Sequence, residues 1–447
     1  MPTINDILIA SFGIAQVLWF FAFGASAGSL INVLVYRLPL GLSVVTPPSR
    51  CPSCQTQLTW RENIPVLGWL MLGGRCRFCK SRISPEYPLV EAFVGVLFAG
   101  LYVLYYLTPP EARYLGIAFG KVAPAWAGPG YGFASPLLET WPTFGLILLL
   151  MGSLVAMTLV DAKTFTIPLI LTWIPVVVAF LVHPVHALVI ERMRGGLSHT
   201  AAGWVWTIPT PGPNSWYWVG AAGGGLLGLG FSLLLLRFGF ITRSFADYGD
   251  WEKSAREATE AGSELSDPEM WTRYPYARRE MVKELAFLAL PVALAFAGGW
   301  VADRVIGATA GWSFDQQTQG MVTSLHVPLW LSALAGSVLG YLVGGGIVWA
   351  IRVFGSLGFG KEAMGLGDVH LLAAVGACVG WIDAFVAFFL AAFVGVAWAL
   401  LGAVFGGLRR HLPYGPHLAV ATLLTLLLRP LIQTGLSFLL HTPIELP

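Results

Sequence analysis

The chain has 447 residues, of which 56% are hydrophobic and only 11% are charged. Its mean hydropathy is +0.70, whereas average soluble domains carry about one quarter charged residues. Because so few charges cannot cover a soluble core of this size, the composition excludes a soluble globular protein and indicates an integral membrane protein. The net charge of +2 comes without a basic patch interleaved with aromatics, so we expect no nucleic-acid partner.

Apolar stretches of about 20 residues, the length that crosses the hydrocarbon core of a lipid bilayer, recur along the whole chain. They lie at 8–34, 89–108, 143–160, 168–190, 218–240, 285–301, 329–351, 384–406 and 416–440, with a shorter one at 370–382. The sequence therefore predicts an all-α polytopic membrane protein with about 8–10 transmembrane helices and a small hydrophilic domain.

Hydrophilic segments between these stretches suggest five parts of the chain. We expect a first transmembrane helix at 1–40, a small cytoplasmic domain at 41–88, membrane helices at 89–240, an insertion at 241–328 with a charged cytoplasmic segment and an extra helix, and further membrane helices at 329–447. Six basic against three acidic residues in segment 50–91 predict the cytoplasmic side for the small domain.

Four of the five cysteines form two closely spaced pairs, Cys51-x2-Cys54 and Cys76-x2-Cys79. This spacing is typical of a structural zinc site with four thiolate ligands. Two disulfides or four buried thiols are the alternatives, but a cytoplasmic segment lies in a reducing compartment. We expect the fifth cysteine, Cys378, to pack in an apolar helix without a chemical role.

Two aspartates stand next to apolar stretches. An ionisable side chain at membrane depth costs about 2.5–3.5 kcal/mol, so its presence indicates a function. Asp161 ends one apolar run, and Asp368 follows Gly365 and Gly367, which allow the backbone to approach a substrate closely. Two carboxylates at one membrane face can share a proton, one acting as a base for water and the other as an acid towards a scissile carbonyl, as in aspartic proteases.

Simpler interpretations exist for each acid. Asp161 is alternatively an interfacial residue paired with Lys163, and Asp368 is alternatively the N-cap of a helix that starts at Val369. A third acid, Asp383, competes for the catalytic role, but the order of membrane crossings assigns it to the opposite interface. The spacing alone does not decide between these interpretations.

Eight motifs in a fixed order resemble those of the type IV prepilin peptidases, membrane aspartic peptidases of the Gly-x-Gly-Asp type. They are Gly28-Ser29-x-x-Asn32, Cys51-Pro52-x-Cys54, Asn63-Ile64-Pro65-Val66-Leu67-Gly68-Trp69, Gly74-Arg75-Cys76-Arg77-x-Cys79, Ser84-Pro85-x-Tyr87-Pro88, Asp161 with Ile167-Pro168, Gly365-x-Gly367-Asp368 and Pro413-Tyr414-Gly415-Pro416. The resemblance covers roughly residues 20–108, 145–190 and 350–440.

This resemblance implies an enzyme of the bacterial inner membrane. Its substrates would be type IV prepilins or type II secretion pseudopilins, whose leader is cleaved by Asp161 and Asp368 at the cytoplasmic face. Many members also methylate the new N-terminus with S-adenosylmethionine. The four cysteines match those of the family's zinc-bearing domain, and Gly365 and Gly367 match the loop that supports the second aspartate.

Three features depart from the family pattern. Leu169 stands where members usually carry Asp, His370 stands where they usually carry Lys, and 207 positions separate Asp161 from Asp368. The excess length includes the insertion, which adds an even number of crossings and therefore keeps both aspartates at one face. On crossing parity alone, we expect that excising 218–301 preserves the topology and the activity.

Two other classes of function compete with the peptidase. A non-enzymatic membrane scaffold stapled by zinc explains the cysteines but gives no reason for the Gly-x-Gly-Asp motif. A transporter also uses intramembrane acids, but usually near the midplane and with broken helices in paired halves. We expect the acids of this chain near one face, and its sequence shows no paired halves.

Overall fold

A computed structural model of the chain describes residues 4–109, 112–114, 116–118, 136–193, 216–251, 253–254, 274–307, 312–315, 320–323, 327–405 and 413–442. Within these ranges most residues are helical. The helices are α1 Ile4–Arg37, α2 Leu67–Met71, α3 Glu86–Tyr102, α4 Pro136–Thr164, α5 Leu169–Met193, α6 Trp216–Arg237, α7 Ala277–Ala302, α8 Leu329–Phe359, α9 Leu366–Val379, α10 Trp381–Phe405, α11 Tyr414–Leu427 and α12 Arg429–Leu440.

Single π-helical segments, Val103–Leu107 and Asp303–Gly307, extend α3 and α7. Two short antiparallel hairpins complete the described structure. In the first, β1 (Arg113–Tyr114) pairs with β2 (Ile117–Ala118), and in the second, β3 (Trp312–Asp315) pairs with β4 (Gly320–Thr323).

The predicted membrane architecture is confirmed. Eight helices of the described residues are long and apolar enough to cross a bilayer, in the order expected from the sequence. The ninth predicted span, 416–440, differs, because α11 and the following helix meet at a bend of 86°. The short apolar stretch is α9, which has 14 residues and ends at Gly380 with φ of 96°.

The described chain divides into two compact units. The first comprises 1–175, 203–206 and 390–447. In it α1 packs along α3 because Gly24 and Gly28 have no side chain there: a Cβ atom on Gly28 would lie 2.6 Å from the Cα atom of Glu91. The amide of Asn32 also donates to the carbonyl oxygen of Tyr87 at 3.1 Å.

The second unit comprises 176–202 and 207–389. Its helices α6 and α7 pack closely along Gly220, Gly224 and Gly228, the small-residue spacing that lets membrane helices approach each other. Helices α8 and α9 meet in the same way, with the backbones of Gly340 and Gly376 in direct contact. A Cβ atom at these glycines would overlap the backbone of the neighbouring helix.

Candidate active site and metal cluster

Asp161 lies in the last turn of α4, and its side chain is buried at 5% exposure. The helix ends directly after it, since Phe165 has φ of 54° and its N–H donates to the carbonyl oxygen of Asp161. The carboxylate faces the start of α11, where a Cβ atom on Gly415 would lie only 2.6 Å from its Oδ2 atom. Glycine at 415 is therefore required for this close approach.

The interpretation of Asp161 as the partner of Lys163 is wrong. Lys163 instead donates to Glu86 at the start of α3, over 3.5 Å, and both side chains are more than half exposed. A buried carboxylate at the C-terminal end of a helix meets the negative end of the helix dipole, which disfavours its ionised form. Packing alone therefore gives no reason for an acid at this position.

Asp368 is the third residue of α9 and is 7% exposed. The helix begins at Leu366 after Gly365, which has extended backbone angles, so Asp368 is not the N-cap of a helix that starts at Val369. It lies inside the first turn, where the helix dipole stabilises a carboxylate. A Cβ atom on Gly365 would lie 3.7 Å from its Oδ2 atom, which places this glycine beside the acid.

Asp161 and Asp368 belong to the first and the second compact unit, respectively. Each is a buried acid at the end of an apolar helix, and their joint action in catalysis stays a prediction. Asp383 is also buried, in the first turn of α10. Cys378 is buried in α9 at 3% exposure, as expected for a packing residue.

The four paired cysteines converge. One sulfur atom from each of Cys51, Cys54, Cys76 and Cys79 lies within 4.8 Å of the other three. The Sγ atoms of Cys51 and Cys79 are 3.8 Å apart, and those of Cys54 and Cys76 are 4.0 Å apart. All four are free thiols, so the disulfide alternative is wrong and the cluster is able to hold a metal ion.

Two turns of the same geometry present these sulfurs. In the first, the N–H of Gln55 donates to the Cys51 carbonyl oxygen, and the N–H of Cys51 donates to the Thr56 carbonyl oxygen. In the second, Lys80, Cys76 and Ser81 make the corresponding bonds. The residue after each pair has a positive φ, 56° at Gln55 and 58° at Lys80. The same turn therefore occurs twice in the chain, and the four sulfur atoms meet between the two turns.

Neighbouring donors set the charge of the thiols. The backbone N–H of Cys54 is the main reason that the pKa of Cys51 falls to about 6. The hydroxyl of Ser81 lowers the pKa of Cys79. Backbone donors also lower the pKa of Cys76, but burial and the adjacent thiols outweigh them and leave it raised. The turns therefore favour thiolates on two of the four sulfurs before any metal binds.

Two buried carboxylates hold the small domain that carries the four cysteines, here called the metal-cluster domain (41–88): Glu62 lies within it, and Glu91 joins it to α3. Glu62 accepts hydrogen bonds from the N–H and the hydroxyl of Thr59 and pairs with Arg77 at 3.1 Å. Glu91, on α3, accepts a 2.7 Å bond from the N–H of Val66, which has φ of 62°. A positive φ is unfavourable for a β-branched residue, so this bond holds a strained turn in place.

Sequence reasoning missed a further buried charge. Arg352 lies in α8 with 1% exposure and contacts the loop that leads to Asp368. The same rule that selected the aspartates would have found it, because an arginine inside an apolar stretch is as costly as an acid. Its partner Glu284, which is 68 positions away on α7, could not be identified from spacing.

Comparisons with known proteins match two parts of the chain. Residues 22–105 match the bacterial peptidase A24 N-terminal domain, and residues 318–400 match the type IV leader peptidase family. The first match contains all four clustered cysteines, and the second contains Asp368. The resemblance to the prepilin peptidases is confirmed. Asp161 lies between the two matched segments, outside both.

Individual relatives agree with these matches. The chain is 49% identical over 87 residues to a prepilin leader peptidase/N-methyltransferase of Myxococcus xanthus, covering 20% of this chain and 26% of that protein. A relative with the same name from Klebsiella pneumoniae is 43% identical over 102 residues, covering 22% and 43%. One from Aeromonas hydrophila is 31% identical over 173 residues, covering 33% and 48%. The chain thus spans less than half the length of these relatives, and no solved structure matches it.

Proposed function

We propose that this protein is a membrane aspartic endopeptidase that removes the leader peptide from type IV prepilins or type II secretion pseudopilins. One observation carries the proposal: a buried acid stands at each of the two positions where the peptidase resemblance requires one. The names of the relatives and the two family matches support the same activity. A scaffold or a transporter leaves this pattern without a reason.

The two helix ends suggest a division of labour between the acids. The first turn of α9 stabilises an ionised Asp368, which would take a proton from the attacking water. The last turn of α4 favours a protonated Asp161, which would donate its proton to the carbonyl oxygen of the scissile bond. Collapse of the tetrahedral intermediate would then break the C–N bond. Asp368 would pass the proton that it took from water to the leaving amine, and Asp161 would take a proton back from a hydroxyl group of the intermediate, which becomes the new carboxyl group.

The same proposal places the protein in the bacterial inner membrane with both aspartates at the cytoplasmic face. The excess of Lys and Arg in segment 50–91 supports this orientation. A prepilin is itself anchored by an apolar helix, so its basic leader would lie beside the metal-cluster domain at that face. Alkylation of the exposed Cys79 from one side of sealed, metal-stripped vesicles reports the orientation directly.

Cleavage is tested by co-expressing the full chain with a prepilin and measuring the mass of the product. We expect loss of the leader and a mature chain that begins just before the apolar helix. An unprocessed prepilin, with the protein verified in the membrane fraction, would reject the proposal. The same spectrum tests methylation, because it shows whether the mature chain carries the mass of one additional methyl group.

We propose zinc as the metal of the four-cysteine cluster. A tetrahedral zinc with bonds of about 2.3 Å holds its sulfurs about 3.8 Å apart. The observed separations of 3.8 and 4.0 Å fit that geometry. When bound, zinc would staple the two turns and so stabilise the small domain; its four ligands leave no position for a substrate.

N-methylation of the mature pilin is a second proposal, and it rests on the names of the relatives, which include N-methyltransferase. S-adenosylmethionine would supply the methyl group. The contacts of the described residues assign none of them to the groups of this cofactor. We therefore derive no step of methyl transfer.

A further inference from the structure

A buried ion pair joins the insertion to the second aspartate-bearing segment. Glu284 of α7 and Arg352 of α8 are 3% and 1% exposed. The Nε and Nη2 atoms of Arg352 each donate to a different oxygen of Glu284 over 3.0 Å, which is the bidentate geometry of the strongest side-chain pairs. The indole N–H of Trp349 donates to the same carboxylate at 2.7 Å.

The remaining nitrogen of Arg352 holds the loop before α9. Its Nη1 atom donates both to the Glu362 carboxylate and to the main-chain carbonyl of Met364. Met364 directly precedes Gly365, and Asp368 follows in the first turn of α9. One guanidinium therefore connects a helix of the insertion with the backbone that positions Asp368.

Further bonds hold the same loop in place. Arg278 of α7 donates to the carbonyl oxygens of Leu357 and Gly358 at the C-terminal end of α8. Gly360 then turns the chain with φ of 73°, and the N–H of Ala363 donates to the Ser356 hydroxyl at 2.9 Å. The loop is thus fixed from α7 as well as from α8.

The start of the insertion covers the guanidinium. The ring of Phe245 lies 5.3 Å from the Arg352 guanidinium carbon, and the N–H of Phe245 donates to the buried carboxylate of Glu280. Lys283 also pairs with Glu280, at 2.8 Å. In its described part the insertion is therefore an ordered cluster of ion pairs, not only a solvated charged loop.

We infer that α7 of the insertion is a positioning element for Asp368, and that Arg352 is the positioning residue through which it acts. This inference rests on the proposed function. A buried guanidinium that lost Glu284 would keep only Glu362 as a charged partner, so we expect it to hold the loop fully only while the insertion is present. Neighbouring residues that are themselves held in place keep a catalytic group in its productive geometry. Misplacing that group by about 1 Å reduces the rate of catalysis about 100-fold.

Two variants of the full-length protein separate positioning from folding. Glu362→Ala removes the loop-side partner and leaves the pair between α7 and α8 intact. Arg352→Lys keeps the charge but cannot reach Glu284, Glu362 and the Met364 carbonyl together. The matched control is Arg304→Gln, which removes a positive charge at the opposite end of α7, where the guanidinium lies over the Trp300 ring.

We expect kcat for leader cleavage to fall about 10- to 100-fold in Arg352→Lys and less in Glu362→Ala, with KM unchanged. Arg304→Gln should stay close to wild type. Hydrogen exchange measured by mass spectrometry gives a second readout, because protection of the Ala363 amide should fall in both loop variants but not in the control. Wild-type kcat and wild-type protection in both variants would overturn the inference.

The exchange measurement does not depend on the activity. If the wild-type protein fails to cleave any prepilin, the proposed function fails, while the exchange rates still decide whether Arg352 orders the loop. If the wild type cleaves and both variants retain its kcat despite a loosened loop, the loop order has no catalytic role and the inference is wrong.

Discussion

The two acid-bearing segments are built in different ways. Asp161 is buried, with its carboxylate against the backbone at Gly415, and the nearby ion pair of Lys163 with Glu86 is exposed. Asp368 follows a loop in which Glu362 and the carbonyl oxygen of Met364 accept hydrogen bonds from the buried Arg352. Glu284 of α7 pairs with the same guanidinium. The first segment therefore depends on close packing, and the second depends on buried charge.

This difference indicates where each segment is vulnerable. A close-packed site is disturbed by added volume, whereas a buried ion pair is disturbed by the loss of one partner, which costs about 3–5 kcal/mol. It also gives the insertion a role that its composition did not reveal.

The largest effects are expected at the acids themselves. Asp161→Asn and Asp368→Asn should each reduce leader cleavage at least about 100-fold, since each removes one proton carrier. Glu86→Gln is the matched control, because it makes the same chemical change at an exposed position near Asp161. Substantial processing of a co-expressed prepilin by either variant, with normal membrane insertion, would exclude a catalytic pair.

Excision of 218–301 distinguishes crossing parity from positioning. If only the number of membrane crossings matters, the shortened protein should stay active. If the Arg352 contacts position Asp368, it should no longer cleave the leader, because Glu284 and Arg278 are lost with α7. Adding Arg352→Met to the shortened chain removes the buried guanidinium that has lost Glu284. We expect this change to restore stability to thermal unfolding but not cleavage. Processing by the shortened chain at the wild-type rate would show that α7 is dispensable.

Loss of the metal should affect the small domain more than the acids. Purified protein should contain about one zinc per chain, and Cys51→Ser with Cys54→Ser should release it. Limited proteolysis within 50–91 should then become faster, whereas the membrane helices stay protected. Metal analysis that finds no zinc, together with rapid alkylation of all four thiols, would rule out the metal site.

An intermediate effect is expected from added volume beside Asp161. In Gly415→Ala the new methyl group would lie 2.6 Å from the Oδ2 atom of Asp161, so the carboxylate must move. We expect a fall in kcat of about 10- to 100-fold with little change in KM. Gly145→Ala, on the same helix as Asp161 but with open space at the Cβ position, is the control. Equal activity of the two variants would show that the contact is unimportant.

Sequence patterns located the features that depend on residue type. Asp161, Asp368 and the four clustered cysteines were recognisable because acids are rare beside apolar helices and because paired cysteines repeat at a fixed spacing. Long apolar stretches likewise predicted the membrane helices.

What the sequence missed depends on contacts between distant residues. Glu284 and Arg352 meet only because α7 and α8 pack together, and Gly415 faces Asp161 only because α11 packs against α4. The bend between α11 and α12 follows an apolar run that looks continuous as far as Arg429. No periodicity within one segment carries this information, since each partner lies on another helix.

The smallest effect is expected at the exposed ion pair near Asp161. Lys163→Gln and Glu86→Gln, alone and together, should change the free energy of unfolding by about 0–1 kcal/mol, because solvent screens the pair and both long side chains lose entropy in forming it. Cleavage should stay close to wild type. Glu284→Gln should lower the free energy of unfolding by more than this, since its partner Arg352 is buried and cannot be solvated. Thermal unfolding of the four variants measures the contrast directly, and a loss at the exposed pair as large as that in Glu284→Gln would contradict the distinction between the two segments.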